Sequence, residues 1–337
     1  MRILAIDGGG IRGLIPALVL AEIERRTERP IAESFDLIAG TSTGGILACA
    51  LTVPDPRDPT RPRYAADELV SLYDEEGPEI FARSLWRRIR TVWGAIDERY
   101  DDAGLRDALR RRLGDTTLSG IVAGTEILVT AYDLERRAAL LLRSVRARHD
   151  AAHDFRLDDA AMATSAAPTY FEPARISDVA GREAYALVDG GVYATNPALV
   201  ALTDRLRDDR GARSGGAGEE PAVPVDLATC GIDLLVSVGT GSATAPIRYD
   251  DAKGWGTLEW APRIVDVVFD GVADTTEFHC RRLLGRRYVR LQTELRDASG
   301  HMDDASAGNR AALRRDAGRL LAEHRDDLDR IVAALAP

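Results

Sequence analysis

Ser42 stands in Gly40-Thr41-Ser42-Thr43-Gly44, a G-x-S-x-G pattern. That pattern makes a nucleophile when a hydrophobic strand runs into it and a helix leaves it. Both contexts are present: Phe35 to Ala39 reads as a strand, and the apolar run Ile46 to Val53 reads as a helix buried on most sides. Gly40 and Gly44 permit the sharp turn that lifts the serine oxygen to the strand's carboxyl end. There the helix N-terminus favours developing negative charge. Taken alone, the pattern describes equally well a tight turn with an incidental serine.

A second block, Asp7-Gly8-Gly9-Gly10-Ile11-Arg12-Gly13, also lies between a strand and a helix. Successive glycines leave backbone N–H groups unshielded, and such a nest binds an oxyanion or a phosphate. Gly8, Gly10 and Gly13 also satisfy G-x-G-x-x-G, so an NAD(P)- or nucleotide-binding loop at 8–13 is the alternative. A dinucleotide site wants an acid at the far end of the next strand, roughly 20 residues on. Asp36 stands near the start of that strand instead, and its end is Ala39-Gly40.

The third block, Asp189-Gly190-Gly191, ends the strand Ala184 to Val188. Ligands of open α/β sheets bind at the carboxyl edge, so three blocks that each end a strand can meet in one cleft. Ser42 needs a base, and the choices are Asp189 or one of His149, His153, His279, His301 and His324. His301 follows the strand Tyr288 to Leu291 and sits where a Ser, acid, His order would place it. His324 falls on an apolar helix face and reads as a core residue. Spacing alone leaves Asp189 and His301 both open. An aspartate at its reference pKa of about 3.9 is a weak base in water, and its acid limb would lie well below that of a histidine unless burial raises its pKa strongly.

The elements that must position these blocks alternate: short apolar runs with longer amphipathic ones, the mark of an α/β sheet of mostly parallel strands and crossover helices. A strand at residues 2 to 6 leads through the glycines to a helix from Leu14. Residues 65 to 112 read as helices, 126 to 143 as a strand pair, and Leu157 to Ala167 as a short helix of small residues. Asn196-Pro197 starts another helix by side-chain capping and a first-turn proline. Ile232 to Val238 is a strand closed by Gly239-Thr240-Gly241. Leu313, Ala317, Leu320, His324, Leu328, Ile331 and Leu335 share one face of a single long terminal helix. Pro54 to Pro62, with four prolines, is a surface loop, and Gly211 to Pro224 reads as a flexible one. The segment Phe81 to Trp93 reads as a helix with a solvated basic face, or as an interfacial one. Trp255 and Trp260 read as core or loop anchors.

With 337 residues, 45% of them hydrophobic, the chain can bury a large core, and we read 1–337 as one catalytic domain. The excess of 54 acidic over 44 basic residues leaves a net charge of -10, which argues against nucleic acid as partner. Cys49, Cys230 and Cys280 lack metal-ligand spacing, so no metal is expected. The chain opens on a strand, without a signal peptide or a transmembrane run, and reads as cytoplasmic.

In this order the three glycine blocks resemble the patatin-like phospholipases. The similarity extends to Ser165-Ala166-Ala167-Pro168-Thr169-Tyr170-Phe171, to Asp189 through Asn196-Pro197, to Ser237-Val238-Gly239-Thr240-Gly241 and to Met302-Asp303-Asp304-Ala305-Ser306. The resemblance implies a three-layer α/β/α lipid acyl hydrolase that needs no cofactor. It implies Ser42 as nucleophile and Asp189 as base, with the amides of Gly8, Gly9 and Gly10 as oxyanion hole. Arg12 would hold that loop, and Gly40, Gly44, Gly190 and Gly191 would shape the turns. The implied partner is a glycerolipid or phospholipid, met at a membrane surface in passing.

Overall fold

A computed structural model describes residues 1–77, 103–211, 230–243 and 246–336. The segment Phe81 to Trp93 and nearly all of the loop Gly211 to Pro224 lie outside the described residues.

The first strand, β1 (Arg2–Ile6), is apolar on both faces because it is covered on both. It pairs in parallel with β2 (Leu37–Gly40), in register Ile6 to Gly40. β2 continues in parallel to β3 (Glu126–Asp133), with Gly40 opposite Val129. The hairpin partner β4 (Ala138–Arg143) and the strands β5 (Ala174–Ser177) and β6 (Ala184–Asp189) make antiparallel pairs. On the other side of β1 follow β7 (Leu234–Val238) and β8 (Tyr288–Leu291), both parallel to it. Because the chain builds β2 and β3 on one side of β1 and β7 and β8 on the other, β1 is the switch point of the sheet.

The alternation along β1 divides the core in two. Ile3 and Ala5 face one cluster with Leu37, Ala39, Leu128 and Leu202. Leu4 and Ile6 face the other with Ile15, Ile38, Leu47 and Val129. The second cluster is covered by α1 (Leu14–Thr27), α2 (Thr43–Ala50), α3 (Leu157–Ser165) and α6 (Ala307–Glu323), the first by α4 (Ala198–Gly211) and the end of α5 (Thr257–Leu284). This is the three-layer α/β/α architecture the sequence led us to expect.

Helix α2 is buried along its whole length. A Cβ at Gly44 would stand 2.1 Å from the Ile6 carbonyl oxygen, so glycine there lets the helix settle directly on the end of β1. The helix-propensity penalty of about 1 kcal/mol is offset by that packing.

One expectation fails outright. The terminal periodic run is two helices, α6 and α7 (Arg325–Leu335), broken at His324. Asp326 and Asp327 begin a fresh first turn, where acids suit the helix dipole, and His324 turns aside to Asp327 and to the Gln292 carbonyl, both at 3.1 Å. Trp255 and Trp260 lie outside the core, which leaves the loop-anchor alternative: Trp260 is 37% exposed, and the two indoles pack edge to face at 5.1 Å where the chain enters α5.

Candidate active site

Ser42 occupies the turn between β2 and α2 with φ 55° and ψ -125°, a conformation costing a non-glycine residue about 1–3 kcal/mol. The surroundings hold it there. Its N–H donates to Thr164 Oγ1 at 2.8 Å, and its carbonyl accepts from Ile46 N at 3.0 Å. Next to it, Thr41 Oγ1 donates to the Ala194 carbonyl at 2.6 Å and accepts from Thr130 Oγ1 at 2.7 Å. The turn is thereby fastened to β3, α3 and the short helix Gly191–Ala194.

Asp189 reaches the same place from the opposite direction. β6 is antiparallel to β3 and overlaps only its far end, Ala131 opposite Asp189, so Asp189 stops two residues beyond the level of Gly40. The carboxyl-edge expectation therefore describes Gly8 and Ser42, whereas Asp189 arrives because β6 is short in its overlap. Asp189 is fully buried, its N–H donates to the Ala166 carbonyl at 3.0 Å, and its Oδ1 accepts from Gly191 N at 2.7 Å. Burial pushes its pKa up to about 7, and the Ser42 side chain and the Gly191 amide hold it from rising further. Oδ2 completes no hydrogen bond among the described residues, so the Ser42 interaction is looser than full hydrogen-bond geometry. Desolvation thus meets the exception to an acid limb far below that of a histidine, a burial that raises the aspartate pKa strongly.

The glycine loop lies against the nucleophile, where a Cβ on Gly8 would stand 3.2 Å from Ser42 Cβ. Its amides are not equivalent. Gly8 N–H is already committed to the Thr195 carbonyl at 3.0 Å, which corrects the reading of Gly8 as an oxyanion donor. Gly9 and Gly10 N–H make no hydrogen bond among the described residues, and Gly10 lines a pocket with Ser42 and Asp189. Arg12 stays with the loop: Nε donates to the Gly9 carbonyl and Nη1 to the Gly241 carbonyl, each at 3.4 Å.

That pocket is walled by Ile46, Leu105, Tyr170, Phe171, Phe269 and Met302, with Ser165 and Asp303 among its polar members. Among the described residues no histidine lines it. His301 is exposed beside Met302, while His153 pairs with Asp150 and His324 with Asp327. Asp36 lies at the opposite edge of the sheet, its carboxylate accepting from Arg2 N at 2.5 Å, too far along the strand to serve a nucleotide at the glycine loop. Among the described residues no three potential ligands cluster as a metal site.

Sequence reasoning missed the supports. Arg290 Nη2 donates to Asp7 Oδ2 at 2.6 Å, and Nη1 donates to Ser237 Oγ at 2.8 Å. Burial pushes the Asp7 carboxyl up, and Arg290 opposes that shift. An arginine in the middle of the apolar strand Tyr288 to Leu291 was the available signal, since a buried strand tolerates that charge only beside a partner.

A family model described as patatin-like phospholipase matches residues 4–202. Patatin-like protein 2 of Arabidopsis thaliana is 32% identical, covering 95% of this chain and 83% of its own. Patatin-like protein 4 of the same plant is 30% identical over the same shares. Patatin-04/09 of Solanum tuberosum is 30% identical, covering 93% of this chain and 81% of its own.

Proposed function

The chain belongs to the patatin-like phospholipase family and is a lipid acyl hydrolase, and on that premise we propose that it cleaves fatty-acyl esters of glycerolipids through a Ser42–Asp189 dyad. The observation that carries this reading is a strained serine sharing a pocket with a fully buried aspartate whose pKa is about 7. A base is most effective when its pKa lies near the working pH.

Ser42 Oγ attacks the ester carbonyl carbon as Asp189 takes its proton. The carbonyl oxygen becomes an oxyanion facing the Gly9 and Gly10 amides, each such donor contributing roughly 2.7–4 kcal/mol to the transition state. The C–O bond to the glycerol oxygen breaks, that oxygen takes the proton from Asp189, and an acyl ester remains on Ser42. Water then releases the fatty acid. The scheme uses no metal and no organic cofactor. The aromatic and aliphatic residues around Ser42 give the scissile ester an apolar setting.

The family match ends at residue 202, yet β7 and β8 complete the same sheet and supply Ser237 and Arg290 behind the glycine loop. This supports reading 1–337 as one catalytic domain. No described helix is long and apolar enough to cross a membrane. A nucleotide at residues 8–13 finds less support, since Gly8 N–H is occupied and Asp36 lies at the other edge.

The test is incubation with mixed phospholipids and acylglycerols, with mass analysis of released fatty acids and lysolipids, for wild type and Ser42→Ala. Release by wild type alone is expected. Equal release by both proteins would remove Ser42 from the mechanism.

A further inference from the structure

Ser165 is used by no step above, although it lies between two residues that are. Thr164 Oγ1 accepts the Ser42 amide at 2.8 Å, and the Ala166 carbonyl accepts the Asp189 amide at 3.0 Å. One short stretch at the end of α3 thus grips the backbone of both the nucleophile and the base. The residue between the grips lines the same pocket as Ser42 and Asp189. Its exposure is 6%, and its Oγ completes no hydrogen bond among the described residues. A buried hydroxyl left so is destabilising, so its retention calls for a partner. Asp189 Oδ2, lining the same pocket, is the second buried oxygen in that condition. The pocket space, about 30 Å³, exceeds the roughly 10–15 Å³ that one water requires.

We propose that Ser165 Oγ, together with Asp189 Oδ2, holds the water that hydrolyses the acyl-Ser42 ester. This rests on the dyad reading and adds to it the residue that orients the second nucleophile. Asp189, having returned its proton to the leaving alcohol, is again a carboxylate and accepts a proton from the water. The Ser165 hydroxyl fixes the water's remaining direction. The water oxygen bonds to the acyl carbon, the bond from that carbon to Ser42 Oγ breaks, and Oγ recovers the proton from Asp189. Ser165 exchanges no proton and is a water-positioning residue, needed for deacylation and not for acylation.

The two half-reactions can be read separately. Fluorophosphonate labelling reports the attack of Ser42 without any water step, whereas the burst and steady state of an activated short-chain ester report acylation and deacylation in turn. Ser165→Ala removes one oxygen and little volume. The expected result is an unchanged labelling rate and an unchanged burst, with a steady-state rate lower by roughly tenfold and acyl-enzyme accumulating in the intact-protein mass. Loss of labelling and of steady-state rate in the same proportion would make Ser165 a support of the turn and overturn the proposal. So would an unchanged steady state. Absence of labelling in the wild type would remove the dyad reading itself, and this proposal with it.

Discussion

Asp7 and Arg290 meet at 2.6 Å with their side chains each 3% exposed, joining the end of β1 to β8 directly behind the glycine loop. The pair fixes where Gly8, Gly9 and Gly10 leave the sheet. Replacing Arg290 leaves a buried carboxyl without its counter-charge, which costs about 3–5 kcal/mol. Arg290→Met should therefore lower the unfolding free energy by about that amount in urea titration. Asp7→Asn combined with Arg290→Met should recover part of the loss, and failure to recover any would show that the two side chains do not act as a pair.

The raised pKa of Asp189 has two consequences of definite sign. The base must be ionised to work, so kcat/KM should rise with pH through about 7. The folded protein also holds this proton more tightly than the unfolded chain, so the group's contribution to stability is lost as pH climbs from 3.8 to about 7. Relative to wild type, Asp189→Asn should gain stability across that window. A stability difference independent of pH would contradict the burial of a titrating carboxyl.

An acid limb near 7 does not by itself separate Asp189 from a histidine, but its temperature dependence does. Carboxyl ionisation is nearly athermal and imidazole ionisation is strongly endothermic. The limb should stay in place between cold and warm assays, and a marked downward move on warming would point to a histidine.

The strain at Ser42 predicts an order of stabilities. Ser42→Ala keeps the φ of 55° on a residue with a side chain, whereas Ser42→Gly relieves it. Both variants should be inactive, with the glycine variant melting higher unless the looser unfolded chain cancels the gain. Equal activity to wild type in either would be incompatible with a serine nucleophile.

Gly9→Ala tests the oxyanion hole less cleanly than sequence alone suggests. The new Cβ would stand 2.3 Å from Thr240 Oγ1, which itself donates to the Gly8 carbonyl at 2.8 Å. The loop must shift, and kcat should fall by about 10²–10³ while KM changes little. A rise in KM alone would make the loop a binding element.

What could be read in the sequence were the local signals: strand, glycine turn, helix at Ser42, and the alternation that gives a buried parallel sheet. The antiparallel approach of β6 was not legible, because register between distant strands is set by packing and not by periodicity. Nor was the state of Asp189, since burial depends on everything that covers it. Arg290, Thr130 and Thr164 act on the site from 89 to 283 positions away along the chain, and only the fold brings them near. The Gly8 amide is a smaller case of the same kind: its acceptor, the Thr195 carbonyl, lies four residues past the Asp189-Gly190-Gly191 block.

The central claim is that Asp189 and no histidine activates Ser42, and paired variants test it most directly. Fatty-acid release is measured for Asp189→Asn and for His301→Ala, with folding of each checked by its thermal transition. Loss of a general base typically lowers the rate by about 10²–10⁴. The account predicts that loss for Asp189→Asn and nearly full activity for His301→Ala. An active Asp189→Asn beside a folded, inactive His301→Ala would contradict it.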